Sequence, residues 1–189
     1  MARLYLALVH FPVLNRNGEV IASAITNLDL HDLARLSCTY DVPVCYIVTP
    51  LKDQRDLAGR LLGHWCEGIG RELHPDRDRA LRHLRIITSI DEARSEILSE
   101  TGLLPMVWAT SAKDLPGALT HGEARRRLTR ESSPHLLLLG TGWGLAHEAF
   151  GLVDATLEPI EGVNGYNHLS VRCAAAVLLD RLLGLTVEA

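Results

Sequence analysis

Three glycines spaced by one, Gly140, Gly142 and Gly144, directly follow the apolar run Leu136, Leu137, Leu138 and Leu139. A buried strand opening into such a loop lets backbone N–H and C=O groups approach a flat ligand closely, with no side chain in the way. The same glycines would also serve a plain tight turn needing positive φ, and the loop alone leaves both readings open. It is not the GxGxxG dinucleotide fingerprint, and it follows the fifth strong apolar run rather than the first. A second junction, Trp108, Ala109, Thr110, Ser111 and Ala112, ends an apolar run in small hydroxyl residues. Alone it reads as a helix cap or turn. A third runs from Glu158 and Ile160 through Gly162, Gly165, Tyr166, Asn167, His168, Leu169 and Ser170 to an apolar helix, which its polar residues would also suit as a cap. Three such loops from neighbouring strands would enclose one small flat ligand. A fourth cluster holds Asn27, His31, Asp32 and Arg35. His31 and Arg35, four apart, share a helix face that is either solvated, with an Asp32–Arg35 pair, or built for chemistry. No Walker loop, HExxH or Ser-His-Asp order is present.

The elements that position these residues show in the hydropathy pattern. Apolar runs recur at 4–9, 44–49, 84–88, 106–109, 135–139 and 155–160, most without inside/outside alternation, as strands buried on both faces read. A weaker run at 20–25 reads as a short strand or an extended approach to a helix. Asn27 is placed to cap a helix carrying Leu30, Leu33, Ala34, Ser37 and Cys38 on one stripe. Segments 52–67, 91–100 and 122–130 read as further helices. The last helix, about 168–183, is apolar almost all round. Strand alternating with helix gives an α/β fold with a mostly parallel sheet flanked by helices, and residues 1–189 read as a single domain.

Composition narrows the class. The 189 residues are 47% hydrophobic and 22% charged, with a formal net charge of −4, so neither disorder nor a broadly basic nucleic-acid surface is indicated. The charge is uneven, because residues 71–130 hold 11 of the 19 basic residues against 9 acidic ones. Seventeen of those 19 are Arg, which suits phosphate forks but also follows from composition bias alone. The four cysteines show neither CxxC pairing nor zinc spacing, so no metal is expected and a reduced, cytoplasmic location is the expectation. The six-residue run at the start is short for a signal peptide, and no apolar stretch is long enough to span a bilayer.

The glycine run ending Gly-Trp-Gly-Leu and the stretch from Tyr166-Asn-His-Leu-Ser into the last helix resemble the SPOUT superfamily of S-adenosylmethionine (SAM)-dependent RNA methyltransferases. The likeness is to a small bacterial group of about this length. It extends to Ala-Leu-Val-His-Phe-Pro-Val near the start and Tyr-Ile-Val-Thr-Pro at 46–50. The resemblance implies a C-terminal trefoil knot whose loops hold SAM, with S-adenosylhomocysteine as product. The loops correspond to Thr110 and Ser111, to Leu139, Gly140, Thr141, Gly142, Gly144 and Leu145, and to Ile160, Tyr166, Asn167, His168, Leu169 and Ser170. It also implies a homodimer through the C-terminal helix, and Asn27 and Arg35 resemble a catalytic pair of the ribose-methylating branch. Tyr166 to Ser170 instead resembles the guanine-N1 branch, so the sequence mixes two branches and leaves the methylated atom open.

On this reading the chain transfers a methyl group to tRNA or rRNA. Arg35 stabilises or orients the acceptor, Asn27 and Asn167 orient it, and His168 accepts a proton. Arg125, Arg126, Arg127 and Arg130 form the expected RNA surface; the Arg77, Arg79, Arg82 and Arg85 group is as readily a solvated face. The apolar C-terminal helix is expected to meet the 27–40 helix of a second subunit, with Ala175 in the contact. Two alternatives remain: a module that binds SAM or another nucleotide without catalysis, or a methyltransferase acting on a protein or small molecule.

Overall fold

The computed structural model describes residues 3–67 and 69–185. Its sheet contains β1 (Leu4–Val9), β4 (Cys45–Val48), β5 (Leu84–Ile87), β6 (Met106–Ala109), β7 (His135–Gly140) and β8 (Ala155–Thr156). Their spatial order is β5-β4-β1-β7-β6-β8, and every neighbouring pair is parallel. A short antiparallel hairpin, β2 (Val13–Leu14) with β3 (Val20–Ile21), stands apart from it. Asn15 makes its turn, accepting from the Asn17 and Glu19 amides through Oδ1, with Gly18 at φ +81°.

Strand residues alternate between two cores. Leu4, Leu6 and Leu8 of β1 pack with α1 (Asn27–Thr39), α2 (Lys52–Cys66), α4 (Pro75–Leu81), α6 (His121–Arg130) and α8 (Val171–Leu183). Tyr5, Ala7 and Val9 pack with α5 (Ile90–Thr101) and α7 (His147–Phe150) on the other face. This double burial explains the unbroken apolar runs. A short α3 (Ile69–Leu73) precedes α4. These two short helices have no periodic apolar stripe in the sequence, since α4 buries little beyond Ala80 and Leu81.

The chain lays down β1, β4 and β5 in one direction, then crosses to β6 and returns to insert β7 beside β1. In a parallel sheet the crevice at such a reversal, beyond the strands' carboxyl ends, is where ligands bind. The loops after β1, β7 and β6 lie side by side there. The apolar run at 155–160 yields only two residues of regular strand, yet the segment is bonded on both flanks. Leu157 donates to Ala109 O at 2.9 Å, while Leu119 donates to Thr156 O and Glu158 to Leu119 O, both at 2.8 Å. Residues 156–158 therefore run between the two ends of the loop that leaves β6 and returns at Leu119.

Two expectations about α1 and α8 are corrected. Thr26, not Asn27, caps α1: its side chain accepts from the Asp29 amide, and Asn27 is the first helical residue. Both are good capping types, and the apolar stripe is the same either way. The α1 helix packs on α8 within one chain, where Arg172 Nε lies 3.1 Å from Asp29 Oδ1 and its Nη1 donates to Asp32 Oδ2 at 3.0 Å. Tyr40 OH also donates to Asp180 Oδ1. Asp32 thus pairs with Arg172 rather than Arg35. Together α1, α6 and the sheet bury Ala175, Leu178, Leu179 and Leu182 of α8, while Cys173 stays exposed and Ala174 half-buried. Ala175→Glu would place a charge in this chain's own core, so it cannot report on a dimer.

Candidate active site

The glycine loop after β7 is clasped by the hairpin. Trp143 donates to Leu14 O and Leu14 to Gly144 O, each at 2.9 Å, and Ala146 donates to Pro12 O. Gly142 sits at φ +60°, where a Cβ would stand 2.8 Å from the Leu14 carbonyl oxygen. A Cβ on Gly140 would meet the Leu145 amide at 2.8 Å. These two glycines are required by close backbone approach. Gly144, at φ +104°, has no atom within 4 Å of the corresponding point, so the loop presents bare backbone there.

The other two junctions are tied to each other. Asn167 Nδ2 donates to Ala112 O at 2.7 Å, and the Leu169 amide donates to Asn167 O. Asn167 therefore holds two loops together and does not cap α8; Ser170 does that, accepting from the Cys173 amide. Thr110 donates to Leu138 O, and Ser111 accepts from the Lys113 amide. Gly162 would put a Cβ 2.4 Å from Tyr166 O, so the loop bends too tightly for any other residue. Tyr166 and His168 meet edge to face at 5.6 Å between ring centroids, and both are exposed. Leu139 and Leu145 are buried beneath the glycine loop, and Ile160 packs against the core below the third loop.

Behind the glycine loop lies a chain of side chains absent from the sequence expectations. His10 Nδ1 is 2.9 Å from Ser23 Oγ, which is 2.6 Å from Thr141 Oγ1, which donates to Val9 O at 2.9 Å. His10 is fully buried, and desolvation lowers its pKa from 6.5 to about 4 despite the nearby Asp29 carboxylate. The unfolded chain then takes up the imidazole proton first. The stability contributed by neutral His10 is intact above pH about 6.5 and is lost as pH falls towards 4, by roughly 3 kcal/mol. Denaturant unfolding of His10→Asn, which cannot titrate, should show a correspondingly smaller loss between pH 7 and 4 than the parent. Equal losses would contradict it.

Asn27 and Arg35 are both exposed on α1. One turn before Arg35, His31 meets Trp65 of α2 edge-on at 5.8 Å, and the Arg77 guanidinium lies 4.2 Å over the same indole ring. His64 and His74 also flank Trp65. Arg35 and Arg77 both lower the His31 pKa, after burial as the largest cause. This aromatic and cationic surface beside Arg35 was not foreseen, because its members are scattered between residues 31 and 77 of the sequence. Of the remaining 77–85 group, Arg82 pairs with Asp78 at 2.9 Å and Arg85 with Glu96 at 3.0 Å.

The α6 arginines divide. Arg125 donates to the Arg181 and Gly184 carbonyls, fastening the end of α8. Arg126, Arg127 and Arg130 are exposed and line a groove with Leu119, Glu123 and Glu131. Thr120 and Glu123 close a capping box that fixes the start of this helix. Among the described residues no group of three or more His, Cys, Asp or Glu could hold a metal, and no helix is long and apolar enough to cross a membrane.

Comparison with known proteins agrees with this architecture. A family described as SAM-dependent RNA methyltransferase matches residues 3–184. A tRNA (guanine-N(1)-)-methyltransferase of Oleidesulfovibrio alaskensis is 48% identical over 182 residues, covering 96% of this chain and 42% of that protein. The chain thus spans less than half the length of that relative. An uncharacterized protein of Aquifex aeolicus is 34% identical over 179 residues, 95% of this chain and 87% of that one. The fold is shared with TrmJ from Z. mobilis, at TM-score 0.63 and 12% identity over 98% of this chain and 70% of that one. It is also shared with an AdoMet-bound rRNA methyltransferase from Sinorhizobium meliloti, at TM-score 0.55 and 16% identity over 95% and 55%.

Proposed function

The chain belongs to a family of SAM-dependent RNA methyltransferases, and we propose that it binds SAM among its three carboxyl-edge loops and transfers the methyl group to RNA. The observation that carries this reading is the juxtaposition itself: a glycine loop with bare backbone at Gly144, beside β1 at the sheet's reversal, and two further loops joined by the Asn167–Ala112 bond. The open, side-chain-free face at Gly144 and the exposed Tyr166 ring suit a flat adenine. The passage of residues 156–158 between the ends of the 110–118 loop is the arrangement a trefoil knot would need, and we take the chain to be knotted there.

SAM, when bound, supplies a sulfonium methyl group ready for in-line attack. The chain's own contribution is to bring the acceptor to it and manage the proton. Arg35 holds the acceptor nucleotide or its phosphate, Asn27 and Asn167 orient it, and the exposed His168 imidazole takes up the proton released from the acceptor. The guanine-N1 activity named for the relative makes tRNA the substrate class we favour. Calorimetry with SAM tests the pocket; heat of binding saturating in the micromolar range is expected, and none at millimolar SAM would remove the reading.

Arg126, Arg127 and Arg130 are the proposed phosphate contacts, and Arg125 is assigned to holding α8. Replacing the three by Gln should weaken tRNA binding by about tenfold or more at low salt and flatten its salt dependence by about three charges, leaving SAM affinity unchanged. An unaltered salt slope in filter binding would exclude this face. We further propose that two copies pair across the α1 and α8 face. Leu28 is 60% exposed and Leu169 43%, and Cys173 and Ala174 lie nearby at the start of α8. Sedimentation equilibrium should give a dimer at micromolar concentration.

A further inference from the structure

His10 follows the last residue of the central strand, and its backbone is fixed on both sides. Its N–H donates to Val48 O at 2.9 Å, and its carbonyl accepts from the Ser23 amide at 2.8 Å. The side chain continues the connection through Ser23 Oγ and Thr141 Oγ1 to Val9 O.

The direction of this chain follows from the acceptor at its end. A carbonyl oxygen only accepts, so the Thr141 hydroxyl proton points to Val9 O. Thr141 Oγ1 must then accept from the Ser23 hydroxyl, which leaves Ser23 Oγ to accept from His10. The imidazole is therefore protonated on Nδ1, and Nε2 carries a bare lone pair, buried and without a donor among the described residues. Keeping such a nitrogen in the interior is costly where an apolar side chain would fit. What the imidazole supplies in return is a rigid N–H donor aimed at Ser23. Thr141 is the receiving end, and its own amide also donates to Val9 O at 3.2 Å. It stands between Gly140 and Gly142, the two glycines of this loop that admit no other residue.

We infer that His10 is a positioning residue for the SAM site, holding the glycine loop in its binding conformation through Ser23 and Thr141. The inference rests on the reading of that loop as part of the SAM pocket.

The test is SAM affinity by calorimetry for His10→Ala, Ser23→Ala and Thr141→Val, measured well below each variant's unfolding midpoint. Each should raise the SAM Kd by about tenfold, the size of effect expected when one hydrogen bond of a shared network is lost. In turnover, KM for SAM should rise while KM for RNA stays put. Because all three cut one chain, the double variant His10→Ala with Ser23→Ala should bind no more weakly than either single variant. His10→Asn, whose amide stands near the Nδ1 position, should restore affinity to near the parent value. If His10→Ala fails to fold, Ser23→Ala and Thr141→Val, each a small change, decide the matter. Folded variants with unchanged Kd, or losses that add in the double variant, would overturn the inference. A parent protein that binds no SAM would instead show that the pocket reading had failed, and the inference with it.

Discussion

Gly142→Ala is expected to weaken SAM binding by roughly 30- to 150-fold, corresponding to about 2–3 kcal/mol. Two effects combine. At φ +60° an alanine is strained by about 1 kcal/mol or more. Its Cβ would also lie 2.8 Å from the Leu14 carbonyl oxygen, and backbone cannot rotate away as a side chain would. The hairpin and the glycine loop must separate, which breaks the Trp143 N–H bond to Leu14 O and displaces the bare backbone around Gly144. Two controls isolate the cause. Gly144→Ala carries positive-φ strain but meets open space, so a smaller loss is expected; Gly59→Ala, on the exposed side of α2 with open space around it, should bind like the parent. Calorimetry with all three variants checks the order. A Gly142→Ala protein with parent affinity would separate the glycine loop from the cofactor.

Arg35→Ala is expected to lower kcat/KM for RNA methylation by about two to three orders of magnitude, the loss typical of a charged group acting on the transition state. The side chain is exposed on α1 and Asp32 is paired with Arg172, so neither folding nor the α1–α8 contact depends on it. SAM affinity should be unchanged, because the loops proposed to hold it lie at the ends of β6, β7 and β8. Arg35→Lys keeps the charge but loses the planar fork and should recover only part of the rate. Single-turnover methylation measured beside SAM calorimetry distinguishes a lost acceptor contact from a damaged pocket. Undiminished turnover in Arg35→Ala would remove Arg35 from the chemistry.

What could be read from the residues, and what could not, follows the range of the forces involved. The six-stranded parallel sheet was legible because strands buried on both faces are apolar with little interruption, as Leu4–Val9 and the four leucines 136–139 are. The glycine loop was legible because its glycines answer to local sterics. Asn167 was singled out, but its partner was not, since a bond to Ala112 spans 55 residues. The His10–Ser23–Thr141 chain stayed hidden for the same reason: Ser23 and Thr141 are 118 residues apart, and a lone histidine after an apolar strand has no periodic signature. The all-round apolar α8 was read as half of a dimer contact. Periodicity shows that a face must be covered without showing by what, and here α1, α6 and the sheet of the same chain cover Ala175, Leu178, Leu179 and Leu182. Arg125 looked like its neighbours on α6 until the end of α8 was seen to lie within its reach.

Incubating the chain with methyl-labelled SAM and total tRNA shows whether it moves a methyl group from SAM to RNA. Label is expected in acid-precipitable material that ribonuclease removes and protease does not, dependent on Arg35 and on an intact glycine loop. Label that survives ribonuclease, or none in RNA from a protein that binds SAM, would contradict that transfer.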